Sequence, residues 1–340
     1  MSTPTDDGFF MPAEWAPHKR CWMAWPCRTE LWGEGLDAAR AATTEIAKTI
    51  AHFEPVTMVA NGEEIAEVSL RCGPGVACLP LPHDDSWMRD NGPTFLVDGK
   101  GGLAGVDWRF NAWGDKYDSY AADAAAAAAI LKHLGVPAYQ PPLVLEGGSI
   151  HVDGEGTLLT TEQCLLSPNR NPELSREEIE QYLRAHLGGR QIIWLGQGLE
   201  DDETDGHVDN LACFIRPGVV LALSTDDPED GNYAALQDNL ARLHAAKDAA
   251  GRGLEVVEVP QPARRMAEDG RRLALSYVNF YIANGGVVMP SFEDAKDEAA
   301  FAIVSQCFPD RDVRQVPMLD IVRGGGGIHC ITQQQPAVES

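Results

Sequence analysis

The sequence predicts an α/β fold in which strand–strand–helix–strand units close into a ring. Three observations predict it. Apolar, β-branched segments flank a turn signal four times along the chain, and a helix pattern follows each pair. The turn glycines Gly99, Gly154, Gly218 and Gly285 stand 55, 64 and 67 residues apart. The two ends of the chain hold the pieces of a fifth unit, and a repeat that joins its last segment to its first argues for a ring, as in propellers.

A strand over 21–25 begins the first unit, with a helix over 36–53 and a strand over 55–60. The segment 62–80 adds a helix and a strand. Strands over 94–97 and 105–108 then flank the turn Asp98-Gly99. The Ala-rich run 121–129 has high helix propensity and sets a helix over 119–134, which Gly135 and Pro137 end. Strands over 149–152 and 157–160 flank Asp153-Gly154. The helix over 175–187 opens on Ser175-Arg176-Glu177-Glu178, a capping box, and stops at Gly188. A strand over 192–195 follows. Strands over 211–215 and 219–222 flank Pro217-Gly218 and lead to a helix over 231–250 and a strand over 256–259. Strands over 277–282 and 287–289 flank Asn284-Gly285, before a helix over 294–307. A last strand over 328–332 pairs with 21–25 and closes the ring. One domain, residues 1–340, results.

Bulk composition fits this reading. The 44% hydrophobic content supports a real core. The formal charge of −24 disfavours nucleic acid, whose binders carry basic patches, and would favour a small cation. An acidic surface that merely keeps a protein in solution explains the charge equally well. The first fifteen residues hold no basic stretch followed by an apolar run, so no secretory signal is expected. No apolar run is long enough for a membrane helix. Eight cysteines without a C-x-x-C pair suggest reduced thiols and a cytoplasmic protein.

The most informative segment is Gly324-Gly325-Gly326-Gly327-Ile328-His329-Cys330. Four bare residues suit a place where backbone comes very close to something, and they lead into a thiol. A buried core cysteine behind a flexible loop is the plain alternative. Three other segments are polar where a core strand should be apolar: 84–93, 145–149 and 202–210. Each stands at the start of a hairpin. Equivalent strand ends of a ring converge on its axis, which brings Asp90, Glu146, His207, Asp209 and Cys330 together.

That set has a chemistry. Cysteine with histidine is a nucleophile with a proton carrier, and a carboxylate such as Glu146 orients the imidazole. Two further carboxylates would oppose an oxyanion. A planar guanidinium resolves the conflict, because its paired N–H groups match carboxylates bidentately. Asp90 and Asp209 would hold its edges with the central carbon facing sulfur, and its charge would favour the thiolate. His207 and Asp209 as metal ligands, with Asp84, Asp85 or Asp90, form the rival reading. Asp90 beside Arg89 reads alternatively as an ion pair. Asp201 and Asp202 read as a solvated loop, Trp25, Trp87 and Trp113 as packing, and His18, His52, His133, His186 and His244 as surface.

These residues resemble the agmatine deiminase family of the guanidino-group-modifying, or pentein, superfamily. The likeness runs from Met11-Pro12-Ala13-Glu14-Trp15 through Trp87 to Pro93, 145–161, Asn169-Arg170-Asn171-Pro172 and Glu203 to Asn210, and on to Ile328-His329-Cys330 and Pro336. It implies a five-bladed α/β propeller of ββαβ units around a pseudo-fivefold axis. It implies Cys330 as nucleophile, His207 as general acid and base, Asp90 and Asp209 on the guanidinium, and Glu146 orienting His207. Glu203 would lie near the far amine of agmatine. Trp87 lines the pocket, with Asp205, Trp113, Gly326 and Gly327 as further substrate contacts. No metal or organic cofactor is implied, and association into homo-oligomers is. One departure stands out: Gly327 occupies a place where the family usually has Asn, which would loosen the loop beside the thiol. The segment 113–125 is also less typical.

Overall fold

The computed structural model describes residues 2–338. Its strands, in chain order, are β1 (His18–Ala24), β2 (Val56–Ala60), β3 (Val76–Pro80), β4 (Thr94–Val97), β5 (Leu103–Val106), β6 (Ala138–Tyr139), β7 (His151–Val152) and β8 (Thr157–Thr161). They continue as β9 (Gln191–Leu195), β10 (Ala212–Arg216), β11 (Val219–Ser224), β12 (Glu255–Pro260), β13 (Tyr281–Ala283), β14 (Gly286–Ser291), β15 (Asp312–Pro317) and β16 (Thr332–Pro336).

They form five separate sheets. Four repeat one plan: an antiparallel hairpin, then a helix, then a strand parallel to the hairpin's second strand. The helices inserted are Ala121–Leu134, Arg176–Leu187, Tyr233–Ala245 and Asp297–Cys307. The fifth sheet has the order β16-β1-β2-β3, and β16 runs antiparallel to β1. The last strand therefore completes the first sheet. Helix Leu36–Ile50 joins β1 to the parallel β2.

Local chemistry accounts for these elements. Five of the six residues of β11 are buried, as an apolar β-branched strand between neighbours should be. Ser175 caps the helix Arg176–Leu187 with both halves of the capping box made, and Gly188 ends it in a left-handed conformation. The Ala-rich helix has a carboxylate at its start: Asp84 Oδ2 accepts from the Ala122 and Asp123 amides at 2.8 and 3.2 Å. Asp123 Oδ1 in turn accepts from the Asp84 and Asp85 amides. This exchange ties the loop before Trp87 to the helix.

Several expected strands begin later than their apolar pattern suggests. The strand expected over 277–282 starts at Tyr281, and the one over 149–152 starts at His151. The last strand lies not at 328–332 but at Thr332–Pro336. The apolar Ile328 and Ile331 suggested a strand, yet Thr332 bonds back to the Ile328 and His329 carbonyls and makes a turn of that segment. The strand itself is Gln-rich; Gln333, Gln334 and Gln335 pair with Trp22, Cys21 and Arg20. Two histidines expected at the surface are buried. His18 lies against Glu54 and Tyr281, and His186 packs on Trp108 and Tyr182. Asp202 is also buried and bonds the Thr204 amide and hydroxyl.

Candidate active site

Short turns just before the strands carry the polar residues. They lie at Met88–Asn91, Gly147–Ser149 and Val208–Asn210, and in the segment that ends at Cys330. Helical turns rather than strands let consecutive side chains leave the backbone in different directions. Asp90, Glu146, His207, Asp209 and Cys330 are all brought to one buried cluster, each at most 4% exposed.

Cys330 is fixed through its backbone: its carbonyl accepts from the Arg89 amide at 3.0 Å. Its sulfur lies 3.2 Å from Asn279 Nδ2 and 3.6 Å from Asp209 Oδ2. Asp209 Oδ2 accepts from His329 Nδ1 at 2.9 Å, and the other ring nitrogen of His329 meets Glu14 Oε1 at 2.8 Å. Glu14 also pairs with Arg89 at 3.2 Å, so Arg89 makes its ion pair there and not with the adjacent Asp90. Asp209 Oδ1 is buried with no hydrogen-bond partner among the described residues.

His207 stands between two carboxylates, 3.7 Å from Asp90 Oδ1 and 3.6 Å from Glu146 Oε2. Both separations exceed a hydrogen bond, so the attraction is between charges. Neither ring nitrogen has a hydrogen-bond partner among the described residues. Glu146 is held on its other side by Arg170 Nε at 2.7 Å. Asp90 accepts from the Gly148 amide and from Trp113 Nε1, both at 2.9 Å. A Cβ at residue 148 would stand 2.6 Å from His207 Nδ1, 2.8 Å from Asp90 Oδ1 and 2.9 Å from Asp209 Oδ2. Only glycine lets backbone pass among these three groups.

The charges follow from burial and neighbours. Burial opposes the His207 cation, but Asp90, Cys164 and Glu146 outweigh it and hold its pKa well above the ordinary imidazole value. Burial would raise Glu146, yet His207 and Arg170 bring it below the usual range. Burial is likewise overcome at Asp209, which His329 pulls down. Burial, with Asp209 and Asp90, pushes the Cys330 thiol well up; the Gly327 amide and Asn279 pull the other way. The resting cluster is thus a neutral thiol beside an imidazolium.

A narrow cavity of about 20 Å³ opens onto Cys330. Trp87, Asp90, Trp113, Lys116, Tyr117, Glu203, Thr204 and the backbone of Gly324 to Gly326 line it. A Cβ at Gly326 would stand 2.4 Å from the Trp87 ring. Glu203 is at the cavity wall but already bonded, to Arg271 and to Tyr117 Oη. Asp205 does not line the cavity; Arg170, Lys116 and Asn169 hold its carboxylate. Gly327 is not a lining residue either. Where a Cβ at residue 327 would go, the Asn279 side chain packs instead.

Asp84 and Asp85 take no part in a cluster with His207. Asp84 caps a helix and Asp85 accepts from the Trp32 and Trp87 indoles. Among the described residues, the groups that offer metal-type ligand atoms within 4.8 Å are Glu146, Cys164 and His207, and separately Cys27, Glu64 and His83. Arg170 on Glu146 opposes a further cation in the first set. Sequence reading assigned no role to His329, Glu14 or Arg170, although all three lie in the quoted motifs. It missed Asn279, which it placed inside a strand.

The chain belongs to the Porphyromonas-type peptidyl-arginine deiminase family, whose description matches residues 10–336. It is 50% identical to the agmatine deiminase of Stutzerimonas stutzeri strain A1501, across 99% of this chain and 98% of that one. The solved agmatine deiminase of Enterococcus faecalis, described as catalysing its reaction, has 39% identity and a TM-score of 0.96, covering 99% and 98% of the two chains. A cysteine-to-serine variant of the C. jejuni agmatine deiminase, solved with substrate bound, matches at 29% identity with a TM-score of 0.90 over 97% of each chain. The mixed α/β fold is the fold of these enzymes.

Proposed function

We propose that this protein hydrolyses agmatine to N-carbamoylputrescine and ammonia, as an amidine hydrolase of putrescine metabolism. The observation that carries the reading is the buried Cys330 thiol flanked by Asp90 and Asp209, with one Asp209 oxygen unpartnered beside it. A buried acceptor without a donor is costly unless a ligand completes it. A guanidinium supplies N–H donors and positive charge together.

In this mechanism Asp90 and Asp209 hold the guanidinium, whose charge lowers the thiol pKa so that its proton leaves on binding. The Cys330 sulfur adds to the guanidine carbon. His207, kept charged by Asp90 and Glu146, gives its proton to the departing nitrogen. The C–N bond breaks and ammonia leaves an amidino-cysteine. Neutral His207 then takes a proton from water as water attacks the same carbon. The C–S bond breaks as the adduct's hydroxyl proton passes to the departing sulfur, which restores the resting thiol and releases the ureido product. Trp87 and Trp113 flank the alkyl chain. Glu203 exchanges Arg271 for the distal ammonium, while Gly326 leaves room for the chain and Gly327 keeps the loop close. Asp205 acts at one remove, by holding Lys116 and Arg170 in place.

The five sheets are read as blades around a pseudo-fivefold axis, within one domain that spans residues 1–340. The contact of β16 with β1 supports closure. We place the protein in the cytoplasm, with a small cationic substrate, without nucleic acid, and with self-association as in its family. Among the described residues no helix is long and apolar enough to cross a membrane.

Lys116 at the cavity favours a second substrate, arginine, because it could meet an α-carboxylate; Asp205 already engages it at 3.0 Å. The test is ammonia and ureido release from agmatine and from arginine, with chelator present. Agmatine turnover that disappears in Cys330→Ala, while that variant still binds agmatine, is the expected result. Turnover of arginine alone moves the substrate. Activity retained in Cys330→Ala overturns the nucleophile.

A further inference from the structure

We propose that Asn279 is a further catalytic residue, whose side-chain amide donates a hydrogen bond to the Cys330 sulfur and stabilises it as thiolate. The inference rests on Cys330 being the nucleophile.

The orientation of the amide is set by its neighbours. Asn279 Oδ1 accepts from the His329 backbone N–H at 2.9 Å. That donor cannot reverse, so the oxygen must face it and the NH2 group must face the other way. One N–H then meets Asn210 Oδ1 at 2.9 Å and the other meets Cys330 Sγ at 3.2 Å. Asn279 is 2% exposed, so no bulk water replaces this donor.

The need for it lies in the surroundings. Asp209 and Asp90 face the sulfur and oppose negative charge there. Positive groups stand behind them: His329 and Arg89 act on Asp209, and His207 lies nearest Asp90 and Glu146. Among the described residues, Asn279 is the side chain that donates directly to the sulfur. Hydrogen bonds to a charged partner are stronger than neutral ones, so the amide favours thiolate over thiol.

Gly327 belongs to the same device. A Cβ there would stand 2.3 Å from Asn279 Oδ1 and 2.7 Å from its Cγ. The missing side chain is the space that admits the amide. Two segments far apart in the chain thus serve one contact.

The test is the pH profile of Cys330 alkylation by iodoacetamide, followed on the Cys330 peptide by mass spectrometry. It is run with steady-state kinetics on agmatine and thermal unfolding of each variant. Asn279→Leu keeps a similar volume and removes the donor without adding the negative charge that an aspartate would place beside the sulfur. Gly327→Ala keeps the asparagine but pushes its side chain aside, and serves as the secondary variant because the Gly327 amide also acts on the sulfur. Both should move the alkylation midpoint up by about one unit or more and lower kcat roughly 10- to 100-fold, with KM changed less than about threefold. A purely structural role would lower the unfolding temperature without moving the midpoint. An unchanged midpoint in either variant that folds overturns the proposal. If wild-type protein alkylates at Cys330 with these shifts but does not turn over agmatine, the substrate reading fails while the Asn279 contact stands.

Discussion

Burial pushes the Asp90 carboxyl up to about 6, with Asp209 and Glu146 adding to the rise and His207 opposing it. A raised carboxyl pKa means that the fold prefers the protonated form. Asp90 therefore favours folding fully below its ordinary value of 3.8, and that contribution is lost as pH rises through about 6. The loss is on the order of 3 kcal/mol for a shift of this size. Substrate needs the ionised form, so kcat/KM for agmatine should fall as pH drops through about 6. The thermal stabilisation given by agmatine to Cys330→Ala should grow as pH rises through about 6; stabilisation independent of pH from 5 to 8 would count against Asp90 as the guanidinium partner. At Glu203 the expected exchange with Arg271 makes Glu203→Gln raise KM about tenfold with kcat little changed. An unaltered KM would remove Glu203 from the amine contact. Residue types and order alone made Cys330, His207, Asp90, Asp209 and Glu146 legible, because reactive groups at hairpin starts have few structural uses. Asn279 and Arg170 were not legible as site residues. Their roles depend on which turn faces which, and an amide or guanidinium that reaches across to another turn has no spacing of its own.

Among the elements, the four hairpins, their turns and the helix that follows each were readable from periodicity and turn chemistry. Strand starts were not. Tyr277, Val278 and Phe280 are apolar and buried, yet their segment forms a turn, because the Ser276 hydroxyl accepts from the Val278 amide and donates to the Asn210 carbonyl. Burial alone does not separate a core strand from a core turn. β16 was hidden for the opposite reason: three glutamines carry no apolar pattern, but they are buried in the first sheet, where Trp22 Nε1 donates to Gln335 Oε1 at 3.0 Å. The helix Arg176–Leu187 tests whether capping acts locally. Ser175→Ala removes the acceptor for the Glu178 amide and should cost about 1 kcal/mol of stability by urea unfolding. Its kcat should match wild type. A change in kcat would mean that this helix positions the site.

For the molecule as a whole, the pairing of β16 with β1 joins sequence positions more than three hundred apart, as in Cys21 with Gln334. Removing residues 332–340 strips β1 of its antiparallel neighbour and leaves Trp22 without its acceptor. Such a chain should show no single cooperative thermal transition, and retention of one at the wild-type temperature would mean that closure adds little. Contacts so distant in sequence also slow folding, since loop entropy is lost before they form. The same seam has a consequence during synthesis. At roughly 5–20 residues per second, β1 leaves the ribosome some tens of seconds before its edge partner exists. Cys330 emerges only just ahead of that partner. A chain released before residue 330 therefore carries the carboxylates proposed to hold the substrate but not the thiol proposed to attack it, and the reactive group appears only after the rest of the cluster has been made.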